Sequence, residues 1–149
     1  MSSRVSQVVP GSAFIYTMSL RVRHPNLDPA VLTKALHLEP VHSWRAGDPR
    51  RSATGAVLGG EHHDSYWSAT LPGQTVGAAG SPLELFLGQK LVQLGRHREL
   101  LGRLQSEGGQ ISLLIELSRV ENAVLTLSTG VSRKLADLNI EVEFQFVTE

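Results

Sequence analysis

An indole ring, three guanidinium groups and two carboxylates lie close together in the stretch EPVHSWRAGDPR and the residue that follows it. Guanidinium groups bind carboxylates and aromatic faces, and an indole ring binds cations and apolar groups. These residue types could therefore bind an acidic or an aromatic partner. Together with the Trp of the next predicted strand, the candidates for ligand or partner binding are Trp44, Arg45, Asp48, Arg50, Arg51 and Trp67.

Trp44 also has a structural interpretation, which we favour. A large aromatic side chain usually buries most of its area, and aromatic residues make up only 5% of this chain. We expect Trp44 to fold onto the first helix or the sheet edge and to hold the loop in place. Pro40 ends the preceding helix and Gly47 permits a tight turn. With Trp44 holding the corner, Arg45, together with Arg50 and Arg51, remains free to contact a partner.

The cluster EHHDS is the one stretch whose residue types suit a metal ion. Adjacent side chains of an extended chain point to opposite faces, so His62 and His63 cannot easily share one ion. A site would need one of them together with Glu61, Asp48 or Asp64. A polar turn before a strand is the simpler interpretation, and we expect neither a metal nor a cofactor.

Motifs for catalysis and for phosphate binding are weak or absent. The sequence holds no Cys, no H-E-x-x-H, no G-x-S-x-G and no Ser-x-x-Lys. The stretch GAAGSP leads glycines into a helix start, but Pro82 removes one N–H group and no Lys follows. We therefore lean towards a protein that is not an enzyme and predict no catalytic residues.

Composition excludes several other classes. Fourteen basic and fourteen acidic side chains cancel, which removes the positive charge typical of nucleic-acid binders. No segment is apolar enough for a membrane span, and residues 1–14 do not resemble a signal peptide. We expect a cytoplasmic protein with a flexible segment at 1–12, a single domain at 13–149, and neither nucleic acid nor membrane as partner.

Hydrophobic periodicity predicts five strands, at 14–22, 65–71, 110–118, 123–127 and 140–146. The third and fourth of these are expected to form a hairpin through RVEN. In the last strand, Ile140, Val142, Phe144 and Phe146 are expected to face inward. If the first and last strands were neighbours, Arg21 and Arg23 could face Glu141 and Glu143.

Three helical regions separate these strands. Asp28 can cap a helix that starts at Pro29, and Ser81, Pro82 and Glu84 form a capping box for the longest helix. Gly95 is placed to break that helix, and Asn139 to end the last one. The order predicts an α+β fold: an antiparallel sheet of about five strands with helices on one face, ferredoxin-like in part.

The succession LDPAVLTKALHLEP, SWRAGD and YWSA resembles a bacterial domain-of-unknown-function family, number 4279. The matching positions are Leu27, Asp28, Pro29, Leu32, Thr33, Leu36, Leu38, Pro40, Arg45, Gly47, Asp48 and Trp67. Two departures are His37, where Gly is common, and Arg45-Ala46 in place of a Lys-led turn. The resemblance implies a family and a bacterial, cytoplasmic setting, and no activity.

Three functions remain open. The leading one is a non-enzymatic binding or interaction module that forms a homo-oligomer through a sheet edge or the uncovered sheet face, where Leu114, Val124 and Val147 would add apolar area. The second is an immunity or antitoxin-type inhibitor of a partner enzyme. The third is a sensor of an unknown small molecule, with a cleft near residues 42–67.

Overall fold

The computed structural model describes residues 14–73, 83–120 and 124–147. Its elements in chain order are β1 (Ile15–His24), α1 (Ala30–Leu36), β2 (His42–Trp44), β3 (Pro49–Arg51), β4 (Val57–Glu61), β5 (Ser65–Thr70), α2 (Leu83–Gly95), α3 (Arg98–Ser106), β6 (Gln110–Ser118), α4 (Thr129–Leu138) and β7 (Glu141–Val147). Five strands form one mixed sheet in the order β2-β5-β1-β6-β7, and β3 pairs with β4 separately. The α+β class is therefore confirmed.

The inward face of the sheet follows the predicted alternation. Every second residue of β1, from Tyr16 to Val22, is buried, and so are Trp67 and Ala69 of β5. These side chains share one apolar cluster with residues of all four helices, such as Leu32, Leu87 and Leu135. Strand residues of the opposite parity, such as Arg21 and Glu116, are polar and partly exposed. The helices therefore pack on one face and leave the other open.

Most helix boundaries agree with their sequence signals. Asp28 accepts a hydrogen bond from the backbone N–H of Ala30, the first residue of α1, and Pro29 rather than Asp28 holds the N-cap position. Gly95 ends α2 before α3 begins, and Asn139 ends α4 in the left-handed conformation. α1 ends at Leu36, earlier than Pro40 requires, because His37 is also left-handed.

The capping box predicted for the longest helix falls partly outside the described residues, since these exclude Ser81 and Pro82. Its third member, Glu84, accepts a hydrogen bond from the backbone N–H of Ser128. Ser128 is the N-cap residue of α4, and its hydroxyl accepts from the N–H of Val131. Glu84 therefore connects the first turn of α2 to the start of α4.

The predicted strand at 123–127 and its hairpin are wrong. Ala123 lies outside the described residues, and 124–127 is irregular, with Val124 and Leu127 exposed and Leu125 packed on the core. Arg119 has a positive φ of 58°, which turns the chain away directly after β6. The chain thus passes from β6 through α4 to β7 as one β-α-β unit, and a helical crossover allows parallel pairing.

The sheet is accordingly not wholly antiparallel, because β7 runs parallel to β6. The first and last strands are not neighbours, since β6 lies between them. Arg21 nevertheless forms an ion pair with Glu143 by reaching across β6. The expected ferredoxin-like character stays a prediction.

The inward-facing residues of the last strand are only partly buried. Ile140 is buried, but Phe144 is 36% exposed and Phe146 is 64% exposed. Their partners on β6, Ile115 and Leu117, are fully buried on the same face of the sheet. Both Phe side chains therefore lie on the inward face, as predicted, but they stay exposed because β7 lies at the sheet edge, beyond the cover of the described helices.

Candidate functional site

The turn at RAGD is closed by its own backbone and one carboxylate. The N–H of Asp48 donates to the carbonyl of Arg45 (2.9 Å), and the N–H of Arg45 donates to Oδ2 of Asp48 (2.8 Å). Gly47 has a φ of +93°, a conformation that side-chain-bearing residues rarely adopt. The predicted tight turn is confirmed, and it requires glycine at this position.

Hydrogen bonds tie this turn to the residues that precede β5. The N–H of Gly47 donates to the carbonyl of His62, and the N–H of His62 donates to the carbonyl of Asp48, both at 2.9 Å. The N–H of Ala46 donates to the hydroxyl of Ser65 at 3.0 Å. The β3–β4 hairpin is therefore held at its base against the edge of the main sheet.

Aromatic rings continue this connection across the open face of the sheet. The ring of Trp44 stacks on that of His62, with centroids 4.1 Å apart, and on that of Tyr66, at 4.9 Å. The guanidinium carbon of Arg23 lies 5.3 Å from the centroid of the Tyr66 ring. Arg23, Tyr66 and Trp44 occupy paired positions on three neighbouring strands. Trp44 is therefore half-buried at the sheet edge.

A groove of about 380 Å³ lies between β2 and the β3–β4 hairpin. We call it the Trp44 groove, and it is lined by Ser43, Trp44, Asp48, Pro49, Arg50, Arg51, Leu58 and His62. A wider depression of about 770 Å³ shares Pro49 and His62 with it but has no guanidinium or indole group in its lining. The Trp44 groove is thus the place where the chemistry expected from the sequence is assembled.

Four of the six predicted site residues line this groove, and two do not. Trp44, Asp48, Arg50 and Arg51 are brought together there. The guanidinium group of Arg45 instead lies 3.9 Å from the carboxylate of Asp28.

Trp67 lies on the helix-covered face of the sheet. It is 0% exposed, and its Nε1 donates to the hydroxyl of Thr33 at 3.0 Å. The structure therefore places it in the core, away from the groove.

Some polar groups of the groove already have hydrogen-bond partners within the protein, and one does not have a partner among the described residues. Asp48 accepts the hydrogen bond from the N–H of Arg45, and Arg51 donates from Nη1 to the carbonyl of Gly55 at 3.1 Å. The side chain of Arg50 makes no hydrogen bond or ion pair with any of the described residues. Its guanidinium group is therefore the cation of the groove that is available to a ligand.

The neighbouring histidines have other contacts. His62 stacks on Trp44, while Nδ1 of the exposed His63 lies 3.4 Å from the carboxylate of Asp64. Within residues 14–73, 83–120 and 124–147, no group of three or more His, Cys, Asp or Glu side chains is arranged to hold a metal ion. In the same ranges, no helix is long and apolar enough to cross a membrane.

Comparison with known proteins gives one result. No curated protein and no solved structure matches the chain. The family model described as "Domain of unknown function (DUF4279)" matches residues 14–148, which is nearly the whole chain and includes both the sheet and the groove. The chain therefore belongs to the DUF4279 family, which confirms the resemblance seen between Leu27 and Trp67.

Proposed function

We propose that the protein is a binding module whose Trp44 groove takes a small organic anion with an apolar part. The observation that carries this proposal is the guanidinium group of Arg50, which has no partner among the described residues and lies in the same groove as an indole ring. A guanidinium group offers two parallel N–H donors to a carboxylate or phosphate. The anion of the ligand would bind there.

The charge balance of the groove favours an anion. Arg50 and Arg51 bring two positive charges, and Asp48 brings one negative charge. The Asp48 carboxylate already accepts a backbone hydrogen bond, so it is stabilised where it is and does not need Arg50 as a partner.

The apolar part of the ligand would contact the groove wall. Leu58 is exposed in the free protein, and Pro49 and the rim of the Trp44 ring lie beside it. Because stacking on His62 and Tyr66 fixes the indole ring, little side-chain entropy is lost when a ligand packs against it. A groove of this size suits a small organic molecule.

Tryptophan fluorescence can test the proposal, because the chain has two Trp residues and Trp67 is buried. We expect phenylacetate to change the Trp44 emission, and benzyl alcohol and acetate to have much weaker effects. Phenylacetate combines a ring with a carboxylate, whereas each of the other two probes offers only one of these groups. Equal responses to phenylacetate and benzyl alcohol would show that no anion site exists.

The variant Arg50→Gln should weaken phenylacetate binding about ten- to hundredfold, because one charge-assisted pair is lost. Arg133→Gln is the matched control, since Arg133 is exposed on α4, on the helix-covered side. Both variants should melt like the wild type, because neither side chain is buried. Unchanged binding by Arg50→Gln, or no response of the wild type to phenylacetate, would overturn the proposal.

A further inference from the structure

The strand β7 has an open edge and exposed aromatic side chains. It is seven residues long and pairs with β6 on one side, and no other described strand pairs with its second edge. Such edges are usually blocked by charged side chains, above all Lys, by Pro or by a bulge. Residues 141–147 contain no Lys, Pro or bulge, and of their two charges Glu143 is already paired with Arg21. The other end of the sheet is β2, with only three residues. The edge of β7 is therefore the better template for a further strand.

We propose that β7 pairs antiparallel with β7 of a second copy of this chain, so that the two five-stranded sheets become continuous. A two-fold axis perpendicular to the sheet would relate the copies. This symmetry places the helices of both copies on the same side. Residues that face each other across the axis must therefore belong to the same sheet face, which restricts the possible registers.

Charge then selects one register. With Phe144 on the axis, all seven residues are paired, Glu143 faces Gln145, and Glu141 faces Val147 of the partner. With Glu143 on the axis, two carboxylates would face each other. With Gln145 on the axis, only five of the seven residues of β7 would be paired. Since like charges directly opposite each other destabilise a sheet, the register centred on Phe144 is favoured.

Two further features fit this register. Arg21 already pairs with Glu143 within each copy, which reduces the negative charge that the two β7 strands bring to the seam. On the helix side, Phe144 would meet its own symmetry mate, and Phe146 would meet Val142. Both Phe side chains, 36% and 64% exposed in the single chain, would lose solvent contact there.

Cysteine cross-linking tests the register directly, because the chain has no native Cys. In Phe144→Cys the two thiols would stand opposite each other with Cβ atoms about 5 Å apart, close enough for a disulfide after a small adjustment. We expect mild oxidation to convert most of this variant to the mass of two 16.2 kDa chains. In Phe146→Cys the thiols would be offset by about 14 Å along the strands, so it should remain uncross-linked.

Variants of Gln145 give an independent measurement in the reduced protein. Gln145→Lys places a cation opposite Glu143 of the partner twice in each dimer, whereas Gln145→Glu places two like charges there. Analytical ultracentrifugation should show a dimer Kd that falls about 2- to 25-fold for Gln145→Lys and rises similarly for Gln145→Glu. A wild type that stays monomeric at hundreds of micromolar, or stronger cross-linking of Phe146→Cys than of Phe144→Cys, would overturn the proposal.

Discussion

At the scale of single residues, His24 connects three parts of the chain. It is 3% exposed at the end of β1, and its Nδ1 accepts hydrogen bonds from the backbone N–H groups of Asn26 (3.1 Å) and Leu27 (2.9 Å). Because Nδ1 is an acceptor, Nε2 carries the proton and donates to the carboxylate of Glu107 at 2.9 Å. The turn before α1 is thus held to the residue that follows α3.

The two ring nitrogens can be tested separately. The amide oxygen of Asn can stand in for Nδ1, whereas the amide of Gln reaches the position of Nε2. We expect the free energy of unfolding of His24→Gln to be about 1–3 kcal/mol lower than that of His24→Asn. In the Gln variant the buried N–H of Leu27 loses its acceptor. Urea unfolding measures the difference, and equal stabilities would show that the Nδ1 contacts contribute little.

The residue composition of the groove was predictable only in part. Residue type alone identified Trp44, Asp48, Arg50 and Arg51, since their chemistry is local to one stretch. Trp67 was wrongly assigned to the site. Its burial depends on which face of β5 meets the helices, and its residue type alone does not show this. Tyr66, which stacks on Trp44, and Arg23, which lies over Tyr66, were missed because strand register places them there, and a single sequence does not specify register. His62, which lies outside the strands, was considered only as a metal ligand.

At the scale of elements, α1 and α4 end in the same way with different residues. His37 and Asn139 both follow the last helical turn in the left-handed conformation, with φ of 56° and 53°. Asn tolerates this conformation better than His does, and Gly tolerates it best. His37 therefore places a strained residue at the end of α1, at a position where helix ends favour Gly.

Replacing these two residues by Gly should have unequal effects. His37→Gly is expected to raise the free energy of unfolding by about 0.5–1 kcal/mol, because it relieves the left-handed strain and His37 is exposed. Asn139→Gly, the matched control, should gain less. Thermal unfolding of both variants gives the comparison, and a larger gain for Asn139→Gly would contradict this explanation.

The predictability of the elements follows from their burial patterns. β1, β5 and β6 alternate clearly because one face meets the core, and the caps located the helices. The three short strands β2, β3 and β4 have mostly exposed side chains and leave no periodic signal. Because residues 123–127 were predicted to be a strand, the β-α-β unit was not predicted, and neither was the parallel direction of β7.

At the scale of the whole molecule, Tyr16 places a phenol within the core. Its ring packs edge-on against Phe86, with centroids 5.8 Å apart, and burial raises its pKa above 10.0. In the unfolded chain the phenol ionises first, so the unfolded state gains stability as the pH rises beyond that value. Tyr16 therefore has no effect on the pH dependence below about pH 10 and favours unfolding above it.

The variant Tyr16→Phe should make the fold less sensitive to alkali. We expect its free energy of unfolding to decline less steeply with pH than that of the wild type from about pH 10 upwards, whatever the difference at neutral pH. Denaturant unfolding between pH 8 and 11 provides the measurement. Parallel pH profiles for the two proteins would show that the phenol ionises equally easily in both states.

The position of β6 between the first and last strands also matters for any chain that lacks β7. In such a chain β6 is itself an edge strand, with Ile111, Leu113, Ile115 and Leu117 on one face and Leu114 on the other. A chain shortened before Glu141 would therefore expose an apolar strand edge to other chains and to chaperones.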